Sequence, residues 1–234
     1  MIKTNEEILK FIANVCTDDY SDSLLHHADA IGLVNEDGVD NSKPKTLWDL
    51  RYNALVNHAG EYGLISIKIK RGGLWTAIAV YNPKTEELLM IFKEENLKRI
   101  MKNQSGSHYY PILNMLNEDL KPYYGGAQLN LFETESPDDL KLEGYRKQLS
   151  KVLESTEIRP DKVIAFGFNS NDEKSFKGYI FNANQDLVFH NDYSDIIEAN
   201  FVSMGAEDGI QPEKVQKVKQ KINVKSTRRI KGLK

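Results

Sequence analysis

The most regular alternation of hydrophobic and polar residues lies in the first half of the chain. Isoleucine alternates with serine or lysine through residues 64–71, which is the period-two pattern of a half-buried strand. Turn sequences at residues 72–73 and 82–84 separate this segment from apolar runs at 74–81 and 88–92. The order predicts a three-stranded antiparallel meander.

A second group of strands is predicted nearer the other end, at residues 162–168, 177–182 and 187–190. Apolar residues at three- and four-residue steps predict helices elsewhere. These helices span residues 5–15, 48–58, 94–101, 110–120 and 140–153, the first with a Thr4/Glu7 capping box and the second with an inner face of Leu50, Leu55 and Val56. The predicted class is α+β, with antiparallel meanders of about five or six strands packed with helices. One sheet and two domains both fit this pattern.

The same pattern suggests a division of the chain into segments. An N-terminal α+β half would span 1–121 and contain the meander at 64–92, and a connecting loop would follow at 122–139. A helix plus the second meander would occupy 140–205, and a basic, flexible tail 206–234.

Composition narrows the class of protein. Apolar residues make up 40% and charged residues 28% of the chain, as in ordinary globular proteins. No apolar run reaches the roughly 18 residues of a membrane span, and the N-terminus lacks the features of a secretory signal, so we expect a cytoplasmic protein without membrane contact. Cys16 is the only cysteine, which excludes an internal disulfide and a cysteine-rich zinc site. No cofactor or metal is expected.

Charge is distributed unevenly along the chain. Residues 213–234 contain nine Lys or Arg and one Glu, for a net charge of +8. Because the whole chain has a net charge of −3, residues 1–212 carry −11. Such a tail is either a solvated end or an arm that contacts nucleic-acid phosphates. The candidate phosphate contacts are Lys225, Arg228, Arg229 and Lys231.

The connecting loop contains the segment Gln128-Leu129-Asn130-Leu131-Phe132. This segment resembles the peptide by which bacterial DNA polymerases and mismatch-repair proteins bind the DNA sliding clamp, and it matches all four defining positions. An extended peptide of this kind buries Leu131 and Phe132 in one pocket with Leu129 against its wall, while the Gln128 amide forms directional hydrogen bonds. The resemblance implies a partner, the bacterial sliding clamp. In the alternative, these apolar residues pack the loop against the body or form a short buried strand.

A broader resemblance extends over about residues 45–135. The sequence Lys-Arg-Gly-Gly-Leu-Trp at 70–75, the meander after it, His108-Tyr109 and the segment 128–132 together resemble an uncharacterised family of bacterial and phage-borne proteins. Leu74 stands where that family pattern has an aromatic residue. The resemblance implies a phage or mobile-element context and no particular activity.

The sequence supports an enzymatic function less well than a binding function. Whether the protein is an enzyme stays undecided, and a non-enzymatic role is preferred. The Walker, dinucleotide-binding, nucleophile-elbow and zinc-protease motifs are absent. The alternative is a toxin-like, metal-independent RNase or DNase, with His108 as general base beside Tyr109 and Arg71 stabilising the phosphorane. A capping and packing role for His108 is the preferred interpretation.

Other residues that carry chemistry are interpreted structurally. The adjacent His26 and His27 point to different faces, and His58 is expected to cap a helix. The pair His190 and Asp192 is expected in a turn, and the acidic pairs Asp18-Asp19 and Asp138-Asp139 are expected to be solvated. Trp75 and Tyr81 share one strand face, where burial in the core is favoured over a platform for stacking bases.

Overall fold

The computed structural model describes residues 1–33, 39–71, 75–102, 108–121, 139–154, 156, 158–171 and 173–198, with the backbone alone at 70, 71, 75, 139 and 152. Within these residues the strands form a single six-stranded sheet whose spatial order follows the chain. The strands are β1 (Ile65–Arg71), β2 (Trp75–Asn82), β3 (Glu87–Lys93), β4 (Lys162–Asn169), β5 (Ser175–Phe181) and β6 (Leu187–Asp192). The predicted α+β class is confirmed, and of the two arrangements left open the single sheet is the one observed.

The two meanders join at the centre of the sheet. β1, β2 and β3 pair antiparallel, as do β4, β5 and β6, whereas β3 and β4 pair in parallel with Leu88 opposite Val163. A parallel pair needs a crossover connection, because the chain must return to the same end of the sheet before it starts the second strand. The helices between β3 and β4 belong to that connection.

The helices are α1 (Glu6–Thr17), α2 (Ser21–Ala30), α3 (Lys43–His58), α4 (Glu94–Lys102), α5 (Tyr109–Leu113) and α6 (Asp139–Glu154), with short 3₁₀ helices at Ala59–Tyr62, Asn114–Asn117 and Ser194–Ile196. α2 was not predicted, since its polar sequence buries no residue. The predicted helix 110–120 is instead α5 followed by a 3₁₀ turn. None of the described helices has both the length and the apolar composition needed to cross a membrane.

Helices cover both faces of the sheet. On one face α3 contacts β4, where the rings of Trp48 and Phe168 meet edge to face with centroids 5.7 Å apart. On the other face Tyr110 of α5 packs edge to face against Phe92 of β3, with centroids 5.0 Å apart. Burial on both faces explains why β3 and β4 are almost continuously hydrophobic instead of alternating.

The N-terminal segment is attached to the sheet through Glu87, a buried carboxylate on β3. Thr4 donates to Glu87 Oε2 from both its backbone nitrogen (2.8 Å) and its hydroxyl (2.7 Å), and Lys3 donates its backbone nitrogen to Oε1 at 2.8 Å. The cap of α1 is therefore Asn5, whose Oδ1 accepts from the Ile8 nitrogen at 3.1 Å. The predicted capping box at Thr4 was wrong, because a long-range partner binds the threonine hydroxyl.

Candidate functional site

The two sets of residues predicted to bind partners lie outside the described residues. These are the clamp-like segment, 128–132, and the basic positions of the tail, Lys225, Arg228, Arg229 and Lys231. What the structure does describe is the base from which the connecting segment leaves the fold. The 3₁₀ helix Asn114–Asn117 precedes that segment, and α6 follows it.

Asn117 fixes the upstream side of this base to the sheet. Its Nδ2 donates to the carbonyl oxygens of Val163 at 2.9 Å and Phe181 at 2.7 Å, and its Oδ1 accepts from the Val163 nitrogen at 3.0 Å. The side chain is 1% exposed. One buried amide thus forms hydrogen bonds with backbone groups of both β4 and β5. These bonds satisfy buried polar atoms that would otherwise lack a partner.

The downstream side is fixed by α6. Its Leu142 and Tyr145 pack with Met115 and Ala183 in a small buried cluster. On the surface, Arg146 of α6 forms a two-pronged ion pair with Glu118, in which Nε lies 3.2 Å from Oε2 and Nη2 contacts Oε1. Both ends of the connecting segment are therefore attached to the same part of the fold.

His108 acts as the N-cap of α5. Its Nδ1 accepts from the Tyr110 nitrogen at 3.2 Å, and its ring stacks on Tyr109 at a centroid distance of 4.4 Å. A neutral imidazole has one lone pair on nitrogen, and the capping bond uses it, so the proton lies on Nε2. In this arrangement the ring has no free lone pair with which to act as a general base.

The nuclease hypothesis also requires Arg71, whose side chain is not described. Its backbone ends β1 opposite Trp75 of β2. The cap geometry of His108 supports the packing role, and the nuclease hypothesis stays a prediction. Further along the strand that begins with Trp75, Tyr81 is 7% exposed and donates its hydroxyl to the Arg159 carbonyl at 3.2 Å, so this ring packs in the core and is closed to base stacking.

The remaining histidines make local contacts. His27 Nε2 lies 2.8 Å from Ser42 Oγ, and His58 Nδ1 lies 2.9 Å from Glu61 Oε1 at the end of α3. His190 is on β6 opposite Tyr179 instead of in a turn, so that interpretation was wrong. In the part of the chain that the structure describes, no group of three or more His, Cys, Asp or Glu is placed to hold a metal ion.

A buried polar cluster at the start of α2 was missed by the sequence reasoning. Arg51 of α3 is 1% exposed and donates from Nε to the Cys16 carbonyl at 2.9 Å and from Nη2 to the Asp18 carbonyl at 3.3 Å. Its guanidinium lies 5.1 Å from the centroid of the Phe168 ring, a cation–π contact. Val56, expected on this inner face, is 38% exposed. The burial of Arg51 and the exposure of Val56 could not be predicted from the sequence, because arginine is seldom buried.

Asp18 belongs to the same cluster, which corrects its interpretation as a solvated residue. It is 8% exposed, and its Oδ1 accepts from the Tyr20 nitrogen at 3.2 Å. Burial raises the pKa of the Asp18 carboxyl and lowers the pKa of the Arg51 guanidinium. Arg51 Nη1 and Asp18 Oδ2 are buried without a hydrogen-bond partner among the described residues, so this polar cluster is only partly satisfied.

A second ionic cluster joins α4 to β5. Glu94 Oε1 accepts from the Tyr179 hydroxyl at 3.2 Å and lies 3.0 Å from Lys98 Nζ and 3.5 Å from Lys177 Nζ. Burial raises the pKa of Glu94, but the hydrogen bond from Lys98 and the charge of Lys177 outweigh burial and lower it overall. Tyr179 has a raised pKa through burial and the Glu94 charge, so its hydroxyl stays protonated and serves as a donor.

Taken together, fold and contacts define an α+β protein with a central mixed sheet, structural ionic clusters and a connecting segment attached at both ends. The chain belongs to a family of unknown function, DUF5986, whose family model matches residues 3–233. No curated protein and no solved structure matches the chain.

Proposed function

We propose that this protein binds the bacterial DNA sliding clamp through residues 128–132 and thereby modulates DNA replication or repair. The observation that carries the proposal is the match of Gln128, Leu129, Leu131 and Phe132 to all four defining positions of the clamp-binding peptide. Clamp binding would take place in the bacterial cytoplasm. The protein would be encoded by the bacterium, or by a phage or other mobile element that uses it as host.

The chemistry of the peptide suits a shallow apolar groove. Leu131 and Phe132 are adjacent large apolar residues that act as anchors, and buried anchors of this kind supply most of the affinity of a peptide complex. Gln128 provides an amide with donors and an acceptor, which fixes the register of the peptide in the groove.

The described base of the connecting segment supports the proposal indirectly. Asn117 is bonded to the sheet and Glu118 to Arg146 of α6, so the segment leaves and rejoins the fold at fixed points. A peptide held at both ends has fewer conformations to lose on binding than one on a free terminus. An anchored loop is therefore a favourable carrier for a short docking motif.

The basic tail would add a second contact. Lys225, Arg228, Arg229 and Lys231 would bind phosphates of the DNA that passes through the clamp. Two weak contacts joined by one chain reinforce each other, because the second contact forms at the effective concentration that the linker sets. Binding to clamp loaded on DNA should consequently be tighter, and more dependent on salt, than binding to clamp alone.

The test measures binding of the full chain to a purified bacterial sliding clamp by calorimetry. We expect micromolar or tighter binding that is lost in the Gln128→Ala, Leu131→Ala, Phe132→Ala variant and competed by a peptide from a clamp-binding polymerase. The matched control is Leu140→Ala on α6, which truncates a leucine that is 82% exposed and outside the motif. Absence of binding by the folded wild-type protein, or equal loss in the control, would refute the proposal.

Clamp binding has two possible consequences, and one assay separates them. Recruitment to replication or repair sites would leave clamp-dependent primer extension unchanged, because the groove is released to the polymerase. Competition for the groove would lower extension in proportion to occupancy, and the triple variant would restore it.

A further inference from the structure

The two edges of the sheet differ in how well they are protected against pairing with another strand. The edge strand β6 pairs with β5 through a register shift at Ile180 and Phe181, and it ends in three exposed polar residues, His190, Asn191 and Asp192. Bulges and exposed polar or charged side chains are means by which natural sheets prevent edge-to-edge contact. The β6 edge is therefore protected in the usual way.

The opposite edge, β1, is more open to pairing. β1 pairs with β2 in unbroken register over all seven of its residues, from Ile65 to Arg71, and among the described strands β2 is its only neighbour. Ile65 is 47% exposed, and Val56 of α3 is 38% exposed. Val56 follows Leu55, whose carbonyl accepts from the Ser66 hydroxyl of β1 at 3.2 Å. A long, regular edge strand with exposed apolar residues beside it is a template for another strand.

The sequence of β1 is compatible with pairing to a second copy of itself. Two identical strands related by a two-fold axis pair antiparallel, and the residue on the axis is opposite its own copy. With Ile67 on the axis, Ile65 is opposite Ile69 of the second copy, so isoleucines meet along one face of the joined sheet. Ile67 and Ile69 are 9% and 6% exposed, so this ladder would continue the core of each copy.

Lys68 favours this register over its neighbours. Lys68 is exposed on the other face of β1, where the register centred on Ile67 puts it opposite Ser66 of the second copy. Moving the axis to Lys68 would put two lysines directly opposite each other, which is destabilising. Moving it to Ser66 would put Lys68 opposite Leu64, which is apolar and buried. The charge therefore favours pairing centred on Ile67.

We propose that β1 pairs antiparallel with β1 of a second copy of this chain, centred on Ile67, so that two sheets join into one across a two-fold axis. The contact is small compared with the interface of a permanent dimer, so the expected dissociation constant is roughly 10–100 μM. The pairing does not involve residues 128–132, so this proposal and clamp binding can each fail without the other.

Two measurements on the full chain test the pairing. Sedimentation velocity over a concentration series should show a reversible equilibrium between monomer and dimer. Hydrogen exchange followed by nuclear magnetic resonance should show that alternate backbone amides of residues 65–69 become protected as the dimer forms, because these amides point away from β2. A dimer formed through another surface would leave the exchange of these amides unchanged and would overturn the proposal.

Substitutions at Ser66 test the register. Ser66→Ala is the reference, because it removes the hydrogen bond to Leu55 without adding charge. Relative to this reference, Ser66→Lys should weaken the dimer about two- to thirtyfold, since each dimer gains two contacts between lysines, and Ser66→Glu should tighten the dimer by a similar factor. Combining Ser66→Lys with Lys68→Glu should restore the dimer, because the opposed residues then attract each other.

Ile65→Lys is an independent check at a position that is already 47% exposed. It puts a charge opposite Ile69 of the second copy and should dissociate the dimer. The matched control is Val39→Lys, the same kind of change at a position that is 77% exposed and outside β1, which should leave the dimer intact. The proposal is overturned if the protein stays monomeric at every concentration or if the charge reversal fails to restore the dimer. Protection of the outward β1 amides in the monomer would also overturn it, because another part of the chain would then cover this edge.

Discussion

Two buried asparagines in one short 3₁₀ helix should respond in opposite directions to the same substitution. Asn117 forms three hydrogen bonds with the backbone of β4 and β5. Asn114 is 0% exposed, and neither its Oδ1 nor its Nδ2 has a hydrogen-bond partner among the described residues. We predict that Asn117→Leu destabilises the protein and that Asn114→Leu stabilises it.

The magnitudes follow from the contacts. Leucine has the same number of side-chain heavy atoms as asparagine and branches at the same carbon, so the predicted effect is attributed mainly to the polar groups. Asn117→Leu removes three hydrogen bonds at about 1 kcal/mol each and leaves the Val163 N–H unpaired, for a loss of about 3 kcal/mol. Asn114→Leu removes a buried amide that has no partner, for a gain of about 1–2 kcal/mol. In a chain of 234 residues these values correspond to a Tm lower by about 6–12 °C and higher by about 2–8 °C.

Thermal and urea unfolding followed by circular dichroism measure both effects. The slope of the free energy of unfolding against urea concentration should be the same in all variants. An unchanged slope would show that each substitution changed the stability and not the compactness of the unfolded chain. The reasoning is refuted if both variants lose stability equally, because packing volume and not hydrogen bonding would then decide the outcome. Asn117→Asp is a further check, since it keeps the acceptor but removes the donor to both carbonyls.

Three other predictions concern single buried positions. Gly178→Ala should lower the free energy of unfolding, because the added Cβ would lie 2.9 Å from the Tyr193 ring. At Gly144 in α6 an added Cβ meets nothing within 4 Å, so Gly144→Ala should raise the free energy of unfolding by about 0.5–1 kcal/mol, measured by chemical denaturation. Burial raises the pKa of Asp18, so its contribution to stability is greatest below the unfolded pKa of 3.8 and is lost as pH rises through the folded pKa. Asp18→Asn should therefore stabilise at pH 7 and lose that advantage at about pH 3; an advantage independent of pH would contradict this account. Cys16, with its pKa raised by burial to about 12, should react with a thiol reagent at pH 8 only after unfolding, and rapid reaction of the folded protein would show that α1 is not packed as described.

Candidate functional residues were predictable only where chemistry depends on a local pattern. The proposed clamp-binding segment at 128–132 was found from the sequence because a docking peptide of this kind would contain its whole recognition pattern in five consecutive residues. The role of His108 was also accessible, since an N-cap is formed with a nitrogen two residues away. The Glu94 cluster and the Asn117 amide were not accessible, because their partners lie 46 to 85 residues away along the chain.

The sequence by itself determined the strands and most helices, because alternation and helical periodicity record which side of each element faces the core. It also determined the charge asymmetry between body and tail. Tertiary structure alone decided that the two meanders share one sheet through the parallel pair β3 and β4. It alone decided that Arg51 is buried, that α2 is a surface helix and that Thr4 binds Glu87 instead of capping α1. Each of these depends on a partner distant in sequence, and hydrophobic periodicity carries no information about which distant group will satisfy a buried polar atom.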